Sequence, residues 1–207
     1  MINLDNVTLL CVDCIHPQLA LKAIDVSTRG INFGKIKLIT NVSNRTIGSS
    51  VNINNFFVYT TGLVTDIKTY SKFIINNLIN YVDTDYCLII QYDGYILNPS
   101  AWDYRFLDYD YIGAPWWDRV VGNGGFSLRS KKFLEASSKL GIKDINSGED
   151  DVLCRQYRSV LENMSIRFAP YELASKFSIE YCGPNGYKWN GEFGFHDFRT
   201  DISAAIK

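Results

Sequence analysis

Gln91-Tyr92-Asp93-Gly94 closes the apolar run Tyr86 to Ile90. A carboxylate just past a buried strand, with a glycine beside it, sits where backbone approaches a phosphate. Mg2+ and Mn2+ prefer oxygen ligands and bind through one or two carboxylates plus substrate phosphates. The other reading of Asp93 is a turn aspartate that caps Gly94, and the dipeptide alone leaves both open. Ser147-Gly148-Glu149-Asp150-Asp151 also carries two readings. One is a general base at the mouth of a site, within hydrogen-bond reach of a substrate hydroxyl. The other is a helix start, with Ser147 and Asp150 as a capping box and acidic residues at the positive helix end.

Gly122-Asn123-Gly124-Gly125-Phe126-Ser127 lets backbone pass close to a ligand or turn tightly. It is neither a dinucleotide fingerprint nor a Walker loop, since the required spacing and the Gly-Lys-Ser/Thr are missing. His196 lies in Gly194-Phe195-His196-Asp197. It is a structural histidine among aromatics, or a metal ligand. As a ligand it needs Asp93 and a diphosphate beside it and a partner on its other ring nitrogen. Cys11-Val12-Asp13-Cys14 matches C-x-x-C, but residues three apart on a strand point to opposite faces and the motif opens no helix. Cys87, Cys154 and Cys182 lack zinc spacing, and no Gly-x-Ser-x-Gly elbow indicates a serine hydrolase.

Elements must hold these groups. Short apolar runs at Val7 to Val12, Ile36 to Thr40, Phe56 to Tyr59 and Tyr86 to Ile90 read as buried strands. Strand-like pieces follow at Tyr109 to Ile112 and Gly125 to Leu128. Helices are predicted over Leu19 to Ser27, Asp66 to Val82, Lys131 to Leu140 and Glu149 to Asn163. The second has Ile67, Tyr70, Ile74, Leu78 and Tyr81 on one face, the third stops at Gly141, and the fourth turns Val152, Leu153, Tyr157, Val160 and Leu161 inward. The tail reads as irregular, with a loop at Gly183 to Gly186. Alternating strands and helices imply an α/β fold with a mixed, mainly parallel central sheet flanked by helices. Ligands bind at the carboxyl ends of such strands. That rim would carry Asp13 and Cys14, then Thr40 and Asn41, then Tyr92 and Asp93.

The totals fit one domain over residues 1–207: 46% hydrophobic and 21% charged residues describe a folded, ordered chain. A net charge of −1 without a basic block argues against nucleic acid or an anionic membrane as partner. No apolar stretch is long enough to span a bilayer, and Met1 to Leu10 is no signal peptide. With five cysteines this implies reduced thiols and a cytoplasmic setting. Aromatics make up 14% and cluster between Tyr86 and Trp117 and between Tyr181 and Phe198, where stacking on a base or sugar is an alternative to core packing.

Taken in order, Gln91 to Gly94, Tyr109 to Trp116 (Tyr-Asp-Tyr-Ile-Gly-Ala-Pro-Trp), Gly122 to Ser130, Gly148 to Val152 and Phe193 to His196 resemble the glycosyltransferase-like domains of bacteria and large DNA viruses. The chain is similar in length and motif order to the N-terminal domain of a chlorella-virus member. The resemblance implies a GT-A fold, with a nucleotide-binding part to about residue 95 and an acceptor and catalytic part from about residue 96. It implies a UDP- or dTDP-linked sugar donor, a glycan acceptor, and Mn2+ or Mg2+ held by Asp93 and His196. Gln91 departs from the usual Asp-x-Asp and would bond the ribose or a metal-bound water. Asp150 matches the base of inverting members, with Glu149 or Asp151 holding the acceptor. Gly94, Ser71 and Lys72 would face the nucleotide, and Gly124, Gly125, Trp116, Trp117 and Trp189 the acceptor. The chain could also be one part of a multidomain enzyme. A glycoside hydrolase pairing Asp93 with Asp150, and a silent nucleotide- or carbohydrate-binding module, are the competing readings.

Overall fold

The structure is a computed structural model that describes residues 1–42, 55–181 and 183–205; Cys182 lies outside them. Strand β1 (Ile2–Val12) is longer than its apolar run because only Val7 to Val12 is continuously buried. Helix α1 (Pro17–Ser27) starts at a proline, whose fixed φ suits the first helical turn. Strands β2 (Ile31–Thr40) and β3 (Phe56–Thr60) follow, and β1, β2 and β3 pair in parallel. Helix α2 (Ile67–Asn76) leads through a 3-10 turn, Leu78–Tyr81, to β4 (Tyr86–Ile90), which pairs in parallel with the other side of β1. Strand β5 (Tyr111–Gly113) and β6 (Ser127–Ser130) complete the order β3-β2-β1-β4-β6-β5, with β6 antiparallel to both neighbours. The mixed, mainly parallel sheet expected from the strand pattern is therefore present.

Alternate strand residues feed two cores. Leu9, Cys11, Leu88 and Ile90 face α1, while Leu10, Val12, Cys87 and Ile89 face α2 and α3 (Lys131–Lys139). Gly141 ends the α3 region with φ +62°, as a helix-terminating glycine should. Among the described residues no helix is long and apolar enough to cross a membrane.

Several expectations need correction. The α-helix after Asp66 stops at Asn76, and Ile67 is 72% exposed because the capping box of Asp66 and Thr69 turns the first residue outward. The long helix expected from Glu149 is broken into α4 (Glu149–Asp151), a π-helical turn at Val152–Gln156 and α5 (Arg158–Asn163). That extra residue rotates the face and leaves Val160 exposed. No capping box forms there: the N-cap is Gly148, and Ser147 accepts from the Gln156 amide. The tail is not irregular. It contains α6 (Tyr171–Phe177), β7 (Ser178–Glu180) and β8 (Gly194–His196), the two strands pairing in parallel.

Lys37 is the clearest local tension in the sheet. It sits on β2 at 2% exposure, and its Nζ donates to Tyr81 O and Asp83 Oδ2, both at 2.7 Å. The Lys37 hydrogen bond holds the Asp83 carboxyl below the usual range. A depressed carboxylate stabilises the fold above its unfolded pKa, and that stabilisation is lost as pH falls through the folded value. Because Asp83 is 62% exposed, solvent screening limits the effect. Asp83→Asn is expected to cost about 1 kcal/mol at neutral pH and to flatten the loss of stability on acidification. Urea unfolding at neutral and acidic pH measures both; equal pH slopes in wild type and variant would refute the pairing.

Candidate functional site

β1 and β4 are neighbours whose connections leave to opposite sides, so their carboxyl ends form the sheet's switch point. A cleft of about 220 Å3 opens there, lined among others by Asp13, Cys14, His16, Asp66, Tyr70, Gln91 and Tyr92. Asp13 shapes its floor, with Oδ1 accepting from the N–H of Ile15 at 2.8 Å and of His16 at 2.6 Å. Tyr92 stands between His16, 4.6 Å away between ring centres, and Phe198 at 5.5 Å. Asn41 is exposed just past β2, Ser71 is fully buried on α2 and Lys72 is half-buried; none of the three is among the cleft's lining residues.

Beyond β4 the chain makes a tight turn, with Gln91 and Gly94 exchanging backbone hydrogen bonds of 2.9 and 3.2 Å. The turn presents Asp93. Its Oδ1 is shut off from solvent and has no hydrogen-bond partner among the described residues. His196 Nε2 lies 3.8 Å from that oxygen and 3.1 Å from Gln91 Oε1. Gln91 is held in turn, its Nε2 donating to the Tyr70 hydroxyl at 2.9 Å. On its other side, His196 Nδ1 is 3.2 Å from Glu180 Oε1, which also accepts from Asn123 Nδ2 at 2.6 Å. Burial pushes the Asp93 carboxyl up, and His196 draws it back. Burial opposes charge on His196, but the Glu180 hydrogen bond and the nearby carboxylates raise its pKa overall.

The glycine run packs directly against this cluster. A Cβ on Gly125 would overlap the His196 imidazole, and one on Gly124 would overlap Glu149. The Gly124 N–H donates to Asp150 Oδ2 at 3.1 Å, and the Asp151 N–H donates to Asp150 Oδ1 at 2.8 Å. Asp93, Gln91, His196, Gly94, Gly124, Gly125, Glu149 and Asp150 are thus brought together. Asp151 faces its own helix, accepting from Gln156. Trp116 is half-buried beneath the Arg155 guanidinium at 4.4 Å, and Trp117 is 76% exposed. Trp189 packs with Ile179 and Phe195, its N–H donating to Glu192 O.

Sequence reasoning missed Tyr70, Asn123, Arg129 and Glu180. Arg129 left a signal: a cation inside a strand must find a buried anion. It is fully buried and reaches Glu149 Oε1 at 2.8 Å. Burial pushes the Glu149 carboxyl up while Arg129 pulls it down. The C-x-x-C thiols lie in different cores, Cys11 on β1 in one and Cys14, two residues past the strand's end, in the other. Burial pushes both up, and Cys87 to about 12.

The donors beside Asp93 are of the types that could hold a divalent cation: an orphaned carboxylate oxygen, an imidazole nitrogen and an amide oxygen. Among the described residues no three His, Cys, Asp or Glu side chains are grouped so as to hold a metal ion by themselves. Phosphate and water would complete the shell, the usual arrangement for Mg2+.

The α/β architecture, a mainly parallel central sheet flanked by helices, also occurs in solved structures. The apo-form glycosyltransferase GlyE of Streptococcus pneumoniae TIGR4 shares it, with a TM-score of 0.51 and 12% identity, over 84% of this chain and 46% of that one. A second GlyE structure from that strain matches with a TM-score of 0.46 and 12% identity, over 76% of this chain and 50% of that one. The bifunctional IspDF of Campylobacter jejuni matches at 0.44 and 12% identity, over 79% and 48%. The chain spans about half the length of these solved structures. No curated protein matches it. The chain belongs to the family described as protein of unknown function (DUF5672), whose profile matches residues 53–196.

The buried ion pair yields a stability test. Arg129→Met leaves Glu149 uncompensated and is expected to cost about 3–5 kcal/mol. Adding Glu149→Leu should recover most of it. Denaturant unfolding of both variants decides, and a double mutant no more stable than the single would show that the pair is not what holds this region.

Proposed function

We propose that the chain is a glycosyltransferase that moves a sugar from a UDP- or dTDP-linked donor to a glycan hydroxyl, with inversion. The observation that carries this reading is the unpartnered Asp93 oxygen facing His196 Nε2, beside an aromatic cleft at the sheet's switch point. A fold shared with a protein that is itself a glycosyltransferase adds support. Asp93 and His196, with Gln91 Oε1 adjacent, would hold Mn2+ or Mg2+. Such an ion supplies Lewis acidity toward the leaving diphosphate.

The remaining work falls to the chain. Tyr92 and Tyr70 give the nucleoside an aromatic wall, and Asp13 and Cys14 its floor. Asp150 takes the acceptor proton as that oxygen bonds to the anomeric carbon and the bond from that carbon to the diphosphate oxygen breaks. The Gly124 N–H aims the carboxylate by holding one of its oxygens. Trp116, Trp117 and Trp189 belong to the acceptor side of this reading, and a further domain would complete that side if the chain is part of a longer enzyme. The cytoplasm suits the free, buried thiols of Cys11, Cys14, Cys87 and Cys154.

Thermal melting with UDP or dTDP, with and without Mn2+, tests the donor site. A stabilisation that needs both nucleotide and Mn2+, and that Asp93→Asn removes, is expected. No shift with either nucleotide would sink the proposal. Asp150→Asn should retain that shift while turnover drops about 10^2–10^4-fold. Unchanged transfer removes Asp150 from its role, and sugar release without nucleotide would point to hydrolysis instead.

A further inference from the structure

Sequence order gives no reason for Glu180 to be near the site, yet it is the only carboxylate that the hydrogen bonds among described residues place on the far side of the His196 ring. The ring itself has little freedom. A Cβ on Gly94 would come within 2.9 Å of Cδ2, and one on Gly125 would overlap Nε2, so backbone closes on the imidazole from two sides. What remains to be settled is which nitrogen carries the proton. Nδ1 faces the Glu180 carboxylate at 3.2 Å; Nε2 faces the neutral Gln91 amide oxygen at 3.1 Å, with the Asp93 carboxylate at 3.8 Å, beyond hydrogen-bond reach. A hydrogen bond to an ionised acceptor is roughly twice as strong as one between neutral groups.

Asn123 sharpens the choice. Its Nδ2 is within reach of both Glu180 Oε1, at 2.6 Å, and His196 Nδ1, at 3.1 Å. Donating to the carboxylate lets Nδ1–H donate to that same oxygen. Its second hydrogen could also reach Nδ1, but only a bare Nδ1 accepts it, and that would set a nitrogen lone pair 3.2 Å from a carboxylate oxygen with no proton between them. Asn123 is 2% exposed, and its Oδ1 lies 3.5 Å from the Phe126 N–H, so the amide is fixed on the glycine loop.

We propose that Glu180 is the positioning residue of His196: its carboxylate, steadied by Asn123, takes the Nδ1–H hydrogen bond and leaves the Nε2 lone pair facing Asp93 Oδ1. This rests on the reading of Asp93 and His196 as cation ligands. Glu180 touches neither cation nor substrate and acts through the ring, fixing its tautomer and raising its strength as a donor.

Nitrogen-15 NMR of histidine in the metal-free wild type at alkaline pH reads the tautomer directly. Mn2+ titration followed by electron paramagnetic resonance, with UDP present, reads affinity. The wild type should show a proton on Nδ1. Glu180→Gln offers an amide donor to Nδ1, so the proton should move to Nε2 and Mn2+ affinity should fall about 10–100-fold, with a melting temperature near that of the wild type. Glu180→Asp, which keeps the charge but loses reach, should show a similar affinity loss and stands in if Glu180→Gln does not fold. A bare Nδ1 in the wild type overturns the inference, as does unchanged Mn2+ affinity in a folded variant. If the wild type carries Nδ1–H yet takes up no Mn2+ with UDP, the cation site itself falls and the inference with it. Equal binding by wild type and variants removes Glu180 alone.

Discussion

A carboxylate oxygen shut away from water with nothing to accept from is costly, and among the described residues Asp93 Oδ1 is in that position. The molecule puts considerable structure into keeping it there. β4 delivers Asp93 to the sheet edge, and the Gln91–Gly94 turn fixes its direction. The chain that follows is stitched to the C-terminal strand: Leu97 N–H donates to Phe193 O at 3.1 Å, and Phe195 N–H to Tyr95 O at 3.3 Å. Those bonds place His196 beside Asp93 although the two are far apart in sequence. On the proposed reading, an orphaned carboxylate and an imidazole left 3.8 Å apart would receive a cation more readily than a finished salt bridge.

Sheet order explains why one turn can serve both sides of the site. β4 has a parallel neighbour, β1, and an antiparallel one, β6. The loop after β1 forms the cleft, and the glycine loop leads into β6, so Asp93 lies at the seam between them. The short pair β7 and β8 then brings Glu180 and His196 up together, since the two are directly opposite each other in a parallel ladder.

The parts of this arrangement legible in the sequence were those with local signatures. The apolar runs gave β1 to β4, and Asp93 stood out because a carboxylate followed its strand directly. His196 was recognisable as needing a partner on each nitrogen, but the identity of the second was not, since Glu180 reaches it only through β7–β8 pairing. Strands of three residues show no period to read, which is why the tail looked irregular. The acidic stretch misled for a different reason. Ser147 and Asp150 have the spacing of a capping box, but Asp150 finds the Gly124 N–H from another loop, and that tertiary bond displaced the local one. Tyr70 was counted as one more apolar position on its helix; its hydroxyl, which anchors Gln91, was invisible to a periodicity argument.

The glycines show how the two halves of the site constrain each other. Read alone, Gly124 and Gly125 suggest backbone left bare for a ligand. In the fold, the space at Gly125 is occupied by the His196 ring, and that at Gly124 by Glu149 as it reaches Arg129. Their lack of side chains lets a buried ion pair and an imidazole press on the same short stretch of backbone. Asp150 hangs from that stretch through the Gly124 N–H. The candidate base and the candidate cation ligand therefore pack against adjacent residues of one glycine stretch. Their relative placement is set by bond geometry and by the Arg129–Glu149 pair behind it, which gives a pair that never faces the cleft a part in the geometry of the chemistry.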